Sequence, residues 1–322
     1  MDIAMVTAAG AWETDDDAPL LIDALDQLGI SAGPVRWDDP DADWGSHDLV
    51  VIKSPWDYTD RPQQFLSWAE STSALTTVLN PAEVIRWNSN KRYLAELADL
   101  GLPVVPTHYL SPTDLASPDP ADGSSGLAEV LLAQFPGKDH SGSIVVKPTV
   151  SVGSKDTARY DSGQVTVAAD HAMALLQDGR EVMVQPYFDT VERTGETGLV
   201  FFGGVFSHAF RKGPLLSQGA SNVDGLYAIE DISPRTPSPR ELSLSNAIVA
   251  AVQSRFPTSD LLYTRVDLLE GDDREPFLLE LEMIEPSYFL ATDIDGPARA
   301  AAAYHAALME VRRGRPPLVE LP

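Results

Sequence analysis

The sequence predicts an α+β chain with antiparallel pairing, preceded by a smaller α/β unit. Three observations carry that prediction. The first eighty or so residues alternate strand-like and helix-like segments, the rhythm of an open α/β unit. From Ser143 onward short apolar strands dominate, and only two helical stretches break the series before a terminal one. Late in the chain, two strands flank a short polar turn, which is the pattern of a hairpin.

Bulk properties bound the function. With 322 residues the chain can form two or three packed units sharing a substantial core. Hydrophobic residues make up 43%, which places it among globular proteins rather than disordered ones. No apolar run reaches the roughly 20 residues that cross a bilayer, and Met1-Asp2-Ile3-Ala4 lacks the basic start of a signal peptide. A cytoplasmic location is the expectation. Cysteine is absent, which excludes disulfides, thiolate metal sites and a cysteine nucleophile. The net charge of −25 disfavours nucleic acid and anionic membranes as partners. It also repels nucleotides, so the 23 Lys and Arg residues must be concentrated wherever one binds. A homo-oligomer is compatible with the sequence, which carries no signature of one.

The elements follow in order. Asp2 to Ala8 reads as a strand and Ala18 to Leu28 as a helix closed by Gly29. Leu49 to Lys53 is a buried-type strand, and Pro62 to Ala69 is helical. The unit ends near Asn80-Pro81. A helix is expected after Asn88-Ser89-Asn90, running through Leu100 with Gly101 beyond its end. Ser111 to Gly126, rich in Pro, Ser, Asp and Gly, reads as a surface loop. Strands are expected at Ser143–Lys147, Glu181–Tyr187, Gly198–Phe202, Val205–Arg211, Leu261–Leu269 and Phe277–Ile284. Helices are expected near Asp170–Gln177, Arg240–Arg255 and Pro297–Arg312, and Gly213–Val223 as a loop able to act as a lid.

The hairpin carries the sharpest chemical signal. Arg265 and Asp267 share one face of the first strand, and Glu280 and Glu282 share one face of the second. A turn centred between Asp273 and Arg274 sets 267 opposite 280 and 265 opposite 282. Three carboxylates and a guanidinium then crowd one face. Such acids repel one another unless a cation neutralises them, and Mg²⁺ is the usual choice beside phosphates. The competing reading is a solvated edge with Arg265 paired to Glu282. Against it stand the apolar neighbours Leu278, Leu279, Leu281, Met283 and Ile284, among which bare acids are costly.

Several basic residues suit phosphate. Lys147 ends the apolar strand Ile144-Val-Val-Lys-Pro148, a place lysine rarely occupies without an anionic partner. The small, hydroxyl-rich loop that follows holds Ser151, Gly153 and Ser154, whose amides and hydroxyls could close over phosphate oxygens. Its spacing is not that of a Walker P-loop. Lys91 sits at an expected helix start, against the macrodipole, and taken alone reads rather as an ordinary exposed lysine. Arg211-Lys212 ends another apolar strand. His208 reads as structural, and no histidine cluster suggests zinc. Gln185-Pro186-Tyr187-Phe188 is an extended strand exit able to read a purine edge. Glu192 and Glu196 downstream are candidates for ribose hydroxyls.

Taken together, and in this order, these segments resemble the ATP-grasp superfamily over roughly residues 86–312. The separation of Asp267 from Glu280, and the Arg two residues before the Asp, are similar to those of D-alanine–D-alanine ligases. Glu282 departs from the Asn found there and leaves all three candidate metal ligands anionic. A narrower likeness comes from Val51-Ile-Lys53-Ser-Pro-Trp56-Asp57-Tyr58, Ser207-His-Ala-Phe-Arg-Lys212 and Leu279-Glu-Leu-Glu-Met-Ile-Glu285-Pro-Ser287. These resemble the glutathione-synthetase-like, RimK-like branch, which includes the cyclo-ligase that closes O-ureido-D-serine to D-cycloserine. Lys53 stands where many members of that branch have Arg.

The resemblance implies an α/β pre-ATP-grasp domain at 1–85 and ATP-grasp subdomains at 86–188 and 189–322. It implies ATP held by Lys91, Lys147, the Ser151–Ser154 loop, the 185–188 hinge and Glu196, with Glu192 a further ribose candidate. Asp267, Glu280 and Glu282 would hold two Mg²⁺ ions. Arg265 and Lys212 would be catalytic, and Lys53, Trp56, Asp57, Glu285 and Ser287 would meet substrate. Trp56-Asp57-Tyr58 reads equally as a loop anchored by aromatic packing. The implied activity is ADP-forming carboxylate–amine ligation through an acylphosphate on a small amino-acid-like molecule. A phosphotransferase on the same scaffold, a non-catalytic nucleotide-binding module and an acidic interaction protein are the alternatives.

Overall fold

The first strand, β1 (Ile3–Thr7), is buried along its whole length in a parallel sheet. In the computed structural model, residues 1–113, 127, 142–216 and 231–314 are described. The parallel sheet has the order β2 (Ala32–Arg36), β1, β3 (Leu49–Ser54), β4 (Thr77–Leu79). β3 is likewise buried throughout, as expected of a parallel strand covered on both faces. One face packs on α1 (Asp17–Asp26) and the other on α2 (Pro62–Ser73), where Trp37, Trp44, Phe65 and Trp68 form an aromatic layer. The sequence reading passes over β2 and β4. β2 contains Gly33 and Pro34, which an edge strand tolerates but which hide the strand pattern. β4 is only three residues long.

After Asn80 come α3 (Ala82–Asn88) and α4 (Tyr93–Asp99). α4 is the helix expected after Asn88-Ser89-Asn90, with Gly101 beyond its end. The sequence reading missed α3, which Asn88 ends with its side chain committed to a later strand. The second sheet is antiparallel, in the order β5 (His108–Leu110), β8 (Val182–Pro186), β6 (Ile144–Pro148), β7 (Ala158–Tyr160). The apolar stripe Ala168, Ala169, Ala172, Leu175 and Leu176 of α5 (Val165–Gln177) covers one face of it. Of the expected loop Ser111–Gly126, all but Ser111–Thr113 lies outside the described residues.

The third sheet is also antiparallel: β11 (Ile232–Pro234), β10 (Val205–Lys212), β9 (Glu196–Phe202), β12 (Tyr263–Glu270), β13 (Pro276–Glu282). A short helix, α6 (Val191–Thr194), leads into β9. α7 (Pro239–Arg255) begins at a reciprocal Ser238–Glu241 cap. Its apolar face joins α3 and α4 in one core against this sheet, through Val84, Leu94, Ile248, Val252 and Val266. The last helix, α8 (Gly296–Arg312), returns to the beginning of the chain. Ala300, Tyr304 and Leu308 share a core with Ile3, Met5, Leu21 and Leu25. The front sheet and the hairpin sheet are thereby locked through one apolar cluster, which also contains Val200, Tyr263 and Tyr288.

Candidate active site

A cavity of about 800 Å³ lies where the three sheets meet. The hairpin forms its floor. β12 and β13 pair with Arg265 opposite Glu282 and Asp267 opposite Glu280, as expected, but the turn is centred on Asp273 (Glu270 opposite Pro276), and a bulge between Asp267 and Leu268 makes up the one-residue difference. On the other side of β12, Asp267 lies across from Gly198 of β9. A Cβ at Gly198 would sit 2.2 Å from the Phe210 ring, so the missing side chain lets that ring pack beneath the acids.

Buried polar groups hold the end of β13 in place. Asn88 donates to Leu281 O (2.8 Å) and accepts from Met283 N–H (2.9 Å). The Tyr93 hydroxyl donates to Leu281 O (2.9 Å) and accepts from the Leu281 amide (3.0 Å). Asn80 donates to Tyr263 O (2.9 Å) and Met283 O (2.7 Å) and accepts from Leu262 N–H (2.7 Å). Each bond satisfies a backbone group that burial would otherwise leave costly.

Each floor acid meets a cation. The Arg265 guanidinium binds Asp267 through Nε (2.9 Å) and Nη2 (2.8 Å), contacts Glu282, and donates through Nη1 to Ser287 O (2.9 Å). The Arg265–Glu282 pair of the competing reading is therefore present, but it is set in the cavity floor rather than on a solvated edge. Lys91 Nζ lies 3.1 Å from Glu280 and donates to Ser151 O (2.7 Å). Lys91 is buried, so its reading as an ordinary exposed lysine fails. Burial alone would raise the Glu280 carboxyl, but Lys91 and Lys147 outweigh it and hold the group below its ordinary range. Burial pushes Glu282 the other way, up to about 7, with Asp267 and Glu280 adding to the rise against Arg265.

Lys147 is buried and has no ion pair among the described residues. Burial pushes its ammonium down and Glu280 only partly opposes that, so an anionic ligand would relieve a real electrostatic cost. The loop beyond it carries three left-handed residues, Gly153 (φ 60°), Ser154 (φ 59°) and Asp156 (φ 55°). Val152 at its tip packs on Ala8, Ala11 and Trp56, joining the loop to the front unit. Ser151, Gly153 and Ser154 all line the cavity.

The hinge residues Gln185, Pro186, Tyr187 and Phe188 line the cavity as well. The Tyr187 amide donates to Ser143 O (2.9 Å). The Gln185 side chain is engaged by Thr107 (2.9 Å). Glu196 faces Lys212 at 3.9 Å inside the cavity, and burial raises its carboxyl. Trp56, Glu285 and Ser287 reach the wall.

Three sequence candidates do not. Glu192 is turned to Arg159 (2.9 Å) and the Tyr187 hydroxyl (2.7 Å), behind the hinge. Asp57 is held by Trp37 Nε1 (2.7 Å) and Arg61 (2.7 Å). Lys53 is sealed beneath the wall, 2.8 Å from Asp15 and 3.5 Å from Asp17, with its ammonium over the Tyr288 ring. Burial works against that charge, yet the two acids outweigh it and hold Lys53 above its ordinary value. Of the expected lid, Gly213 to Leu216 is described, with Leu215 and Leu216 on the cavity wall; 217–223 lies outside the described residues.

The sequence reading missed the acids at the start of α1. Asp15, Asp16 and Asp17 all line the cavity. Asp17 accepts from the amides of Tyr288 (2.5 Å), Phe289 (3.2 Å) and Leu290 (2.7 Å), so it holds the segment that follows the hairpin. In a chain this acidic, three more aspartates read as surface charge. Their place just after β1, at a helix start, was the available signal.

All-oxygen donors fit a hard divalent cation, and the donors on the floor are all carboxylates. Asp267 has both oxygens on Arg265, whereas Glu280 gives one oxygen to Lys91 and Glu282 one to Arg265. Among the described residues no three acids or histidines are gathered closely enough to ligate a metal. Among the described residues no helix is long and apolar enough to cross a membrane.

Two antiparallel sheets facing a shared cavity behind a parallel-sheet unit, with buried lysines above a carboxylate hairpin, have the ATP-grasp architecture, and the similarity to known proteins shows an ADP-forming ligase that makes C–N bonds. Comparison with known proteins places it further. The profile for the N-terminal domain of D-cycloserine synthetase DcsG matches residues 3–80. The cycloserine biosynthesis protein DcsG of Streptomyces lavendulae is 36% identical over 307 residues, 94% of this chain and 97% of that one. The crystal structure of D-cycloserine synthetase DcsG superposes with a TM-score of 0.84 at 35% identity, covering 95% of this chain and 99% of that one. The fold extends to D-alanine–D-alanine ligase from Bacillus anthracis, with a TM-score of 0.60 at 14% identity, covering 97% and 95% of the two chains. The chain belongs to the DcsG family of ATP-grasp ligases. Ligases of this class use ATP and Mg²⁺.

Proposed function

We propose that this enzyme activates the carboxylate of a small amino-acid-like substrate with ATP and closes it onto the substrate's own nitrogen. The proposed substrate is O-ureido-D-serine and the product D-cycloserine. The likeness to D-cycloserine synthetase supports the substrate. One observation carries the chemistry: the buried Lys147, without an ion pair among the described residues, stands over the acids of the hairpin in a single cavity.

Lys91, Lys147 and the amides of the Ser151–Ser154 loop would bind the phosphates. Residues 185–188 would receive the adenine, and Glu196 the ribose. Asp267, Glu280 and Glu282 would hold Mg²⁺, two ions on this reading, which neutralises charge on the β- and γ-phosphates. The substrate carboxylate takes the γ-phosphoryl group, ADP departs, and an acylphosphate remains. The nitrogen then attacks the acyl carbon and inorganic phosphate leaves. Hydrolysis of the carbamoyl group, to carbon dioxide and ammonia, frees the D-cycloserine ring.

Arg265 and Lys212 lie where charge develops during these steps. A preorganised donor of this kind is typically worth about 10²- to 10³-fold in rate. Trp56, Glu285 and Ser287 form the substrate side of the wall. Lys53 and Asp57 support that wall from behind, and Glu192 supports the hinge. The division into units 1–85, 86–188 and 189–322 accompanies this reading, with α8 packed back on the first of them.

The test is incubation with ATP, Mg²⁺ and O-ureido-D-serine, beside a panel of other amino-acid analogues. ADP and D-cycloserine are expected with O-ureido-D-serine. ADP formation with another analogue alone would remove this substrate and leave the ligase class. A stable phosphorylated substrate without a ring would identify a phosphotransferase.

A further inference from the structure

Ring closure needs a proton acceptor, and most acids in the cavity are unsuited to the task. Asp267 and Glu282 are bound by Arg265, Glu280 by Lys91, and Glu196 faces Lys212. Glu285 differs. It lines the cavity three residues beyond the hairpin and has no ion pair among the described residues. Tyr58, a buried side chain, lines the same wall.

The backbone around Glu285 is held from two sides. Trp56 Nε1 donates to Glu285 O (3.3 Å), and the Tyr263 hydroxyl donates to Ile284 O (2.6 Å) and Ile52 O (2.9 Å). A carboxyl group whose backbone is held at the cavity wall, and which has no ion pair among the described residues, is suited to general-base work.

We propose that Glu285, oriented by Tyr58, accepts the proton from the attacking nitrogen during ring closure. The proposal rests on the ligase reading given above. As the nitrogen bonds to the acyl carbon, the C–O bond to phosphate breaks and phosphate leaves with the electron pair. The N–H proton passes to a carboxylate oxygen of Glu285. On this proposal the Tyr58 hydroxyl donates to the other oxygen and keeps the group aimed. Burial pushes this carboxyl up to about 8, near the range in which a base both ionises and accepts a proton at neutral pH.

Hydroxylamine separates this step from the one before it, because it attacks an acylphosphate without needing the enzyme's base. For Glu285→Gln, ADP and hydroxamate should form from O-ureido-D-serine at near wild-type rates in hydroxylamine, while D-cycloserine formation falls about a hundredfold or more. Tyr58→Phe should show the same split with a smaller fall. Retained hydroxamate in both variants also shows that they fold and activate substrate. Loss of hydroxamate together with ring closure would overturn the proposal, because Glu285 would then serve binding or activation. Unchanged ring closure in Glu285→Gln would overturn it too. Failure of the wild-type enzyme to form ADP or hydroxamate would sink the ligase reading, and the proposal with it.

Discussion

Asp267 stands directly across the β12–β13 ladder from Glu280, yet the two acids answer to different cations: Asp267 to Arg265 on its own strand, Glu280 to Lys91 from the start of α4. The pairing explains how acids persist in an apolar floor, and it leaves Glu280 poised between a lysine and an incoming ion. Glu280→Gln removes that charge while keeping the shape. ADP release driven by substrate and Mg²⁺ should fall below detection in protein that still unfolds cooperatively, although the buried Lys91 loses its counter-charge and some stability is lost with it. Normal turnover in this variant would refute the metal assignment.

Glu192 and Glu196 are four residues apart, but only Glu196 enters the cavity. Glu196→Gln should raise the KM for ATP severalfold. Glu192→Gln should leave it within about twofold, since surface-type substitutions away from a site have small effects. Steady-state kinetics at saturating substrate checks both, and a reversed order would move the ribose contact to Glu192.

Lys53 is enclosed with Asp15 and Asp17, and Asp17 in turn holds the amides after the hairpin. Lys53→Met leaves two buried acids without their counter-charge. Breaking one side of a buried ion pair costs about 3–5 kcal/mol. Chemical denaturation should show a loss of that order, and activity should fall with it because the Ser287–Leu290 segment loses its support. A Lys53→Arg variant, which keeps the charge, should recover part of both.

His208 is buried with Nε2 on Tyr288 O (2.7 Å) and Nδ1 on Ser207 Oγ (2.9 Å). Burial, with Arg299 nearby, pushes its pKa below the ordinary 6.5, against the carbonyl of Tyr288, Asp293 and Asp17. The unfolded chain therefore binds this proton first as pH falls. The stability contributed by the neutral ring is fully present above about pH 6.5 and is lost as pH drops below that value toward the lowered folded pKa. Wild type should lose stability over that window more steeply than His208→Gln. Parallel curves would contradict the buried neutral ring.

Much of the cavity floor was legible in sequence because a two-residue strand period determines which side chains share a face. Arg265 opposite Glu282 and Asp267 opposite Glu280 match that arithmetic only because a bulge after Asp267 offsets a turn centred one half-step earlier, on Asp273. The front sheet was half legible. β1 and β3 show unbroken apolar runs, whereas β2 is masked by Gly33 and Pro34. What stayed hidden depends on partners far along the chain. Asn88 reads as part of the lead-in to α4 until β13 is seen to take both ends of its amide. Lys53 reads as a substrate ligand until Asp15 and Asp17 enclose it. No local pattern announces that α8 closes against α1, since helical periodicity says which face is apolar and not what covers it.

The most direct test uses O-ureido-D-serine labelled with ¹⁸O in its carboxylate, turned over with ATP and Mg²⁺. If the carboxylate is activated as an acylphosphate, the phosphate released should carry one ¹⁸O atom for each ring closed. D-cycloserine formed with wholly unlabelled phosphate would contradict carboxylate phosphorylation, and with it the role given to the hairpin acids.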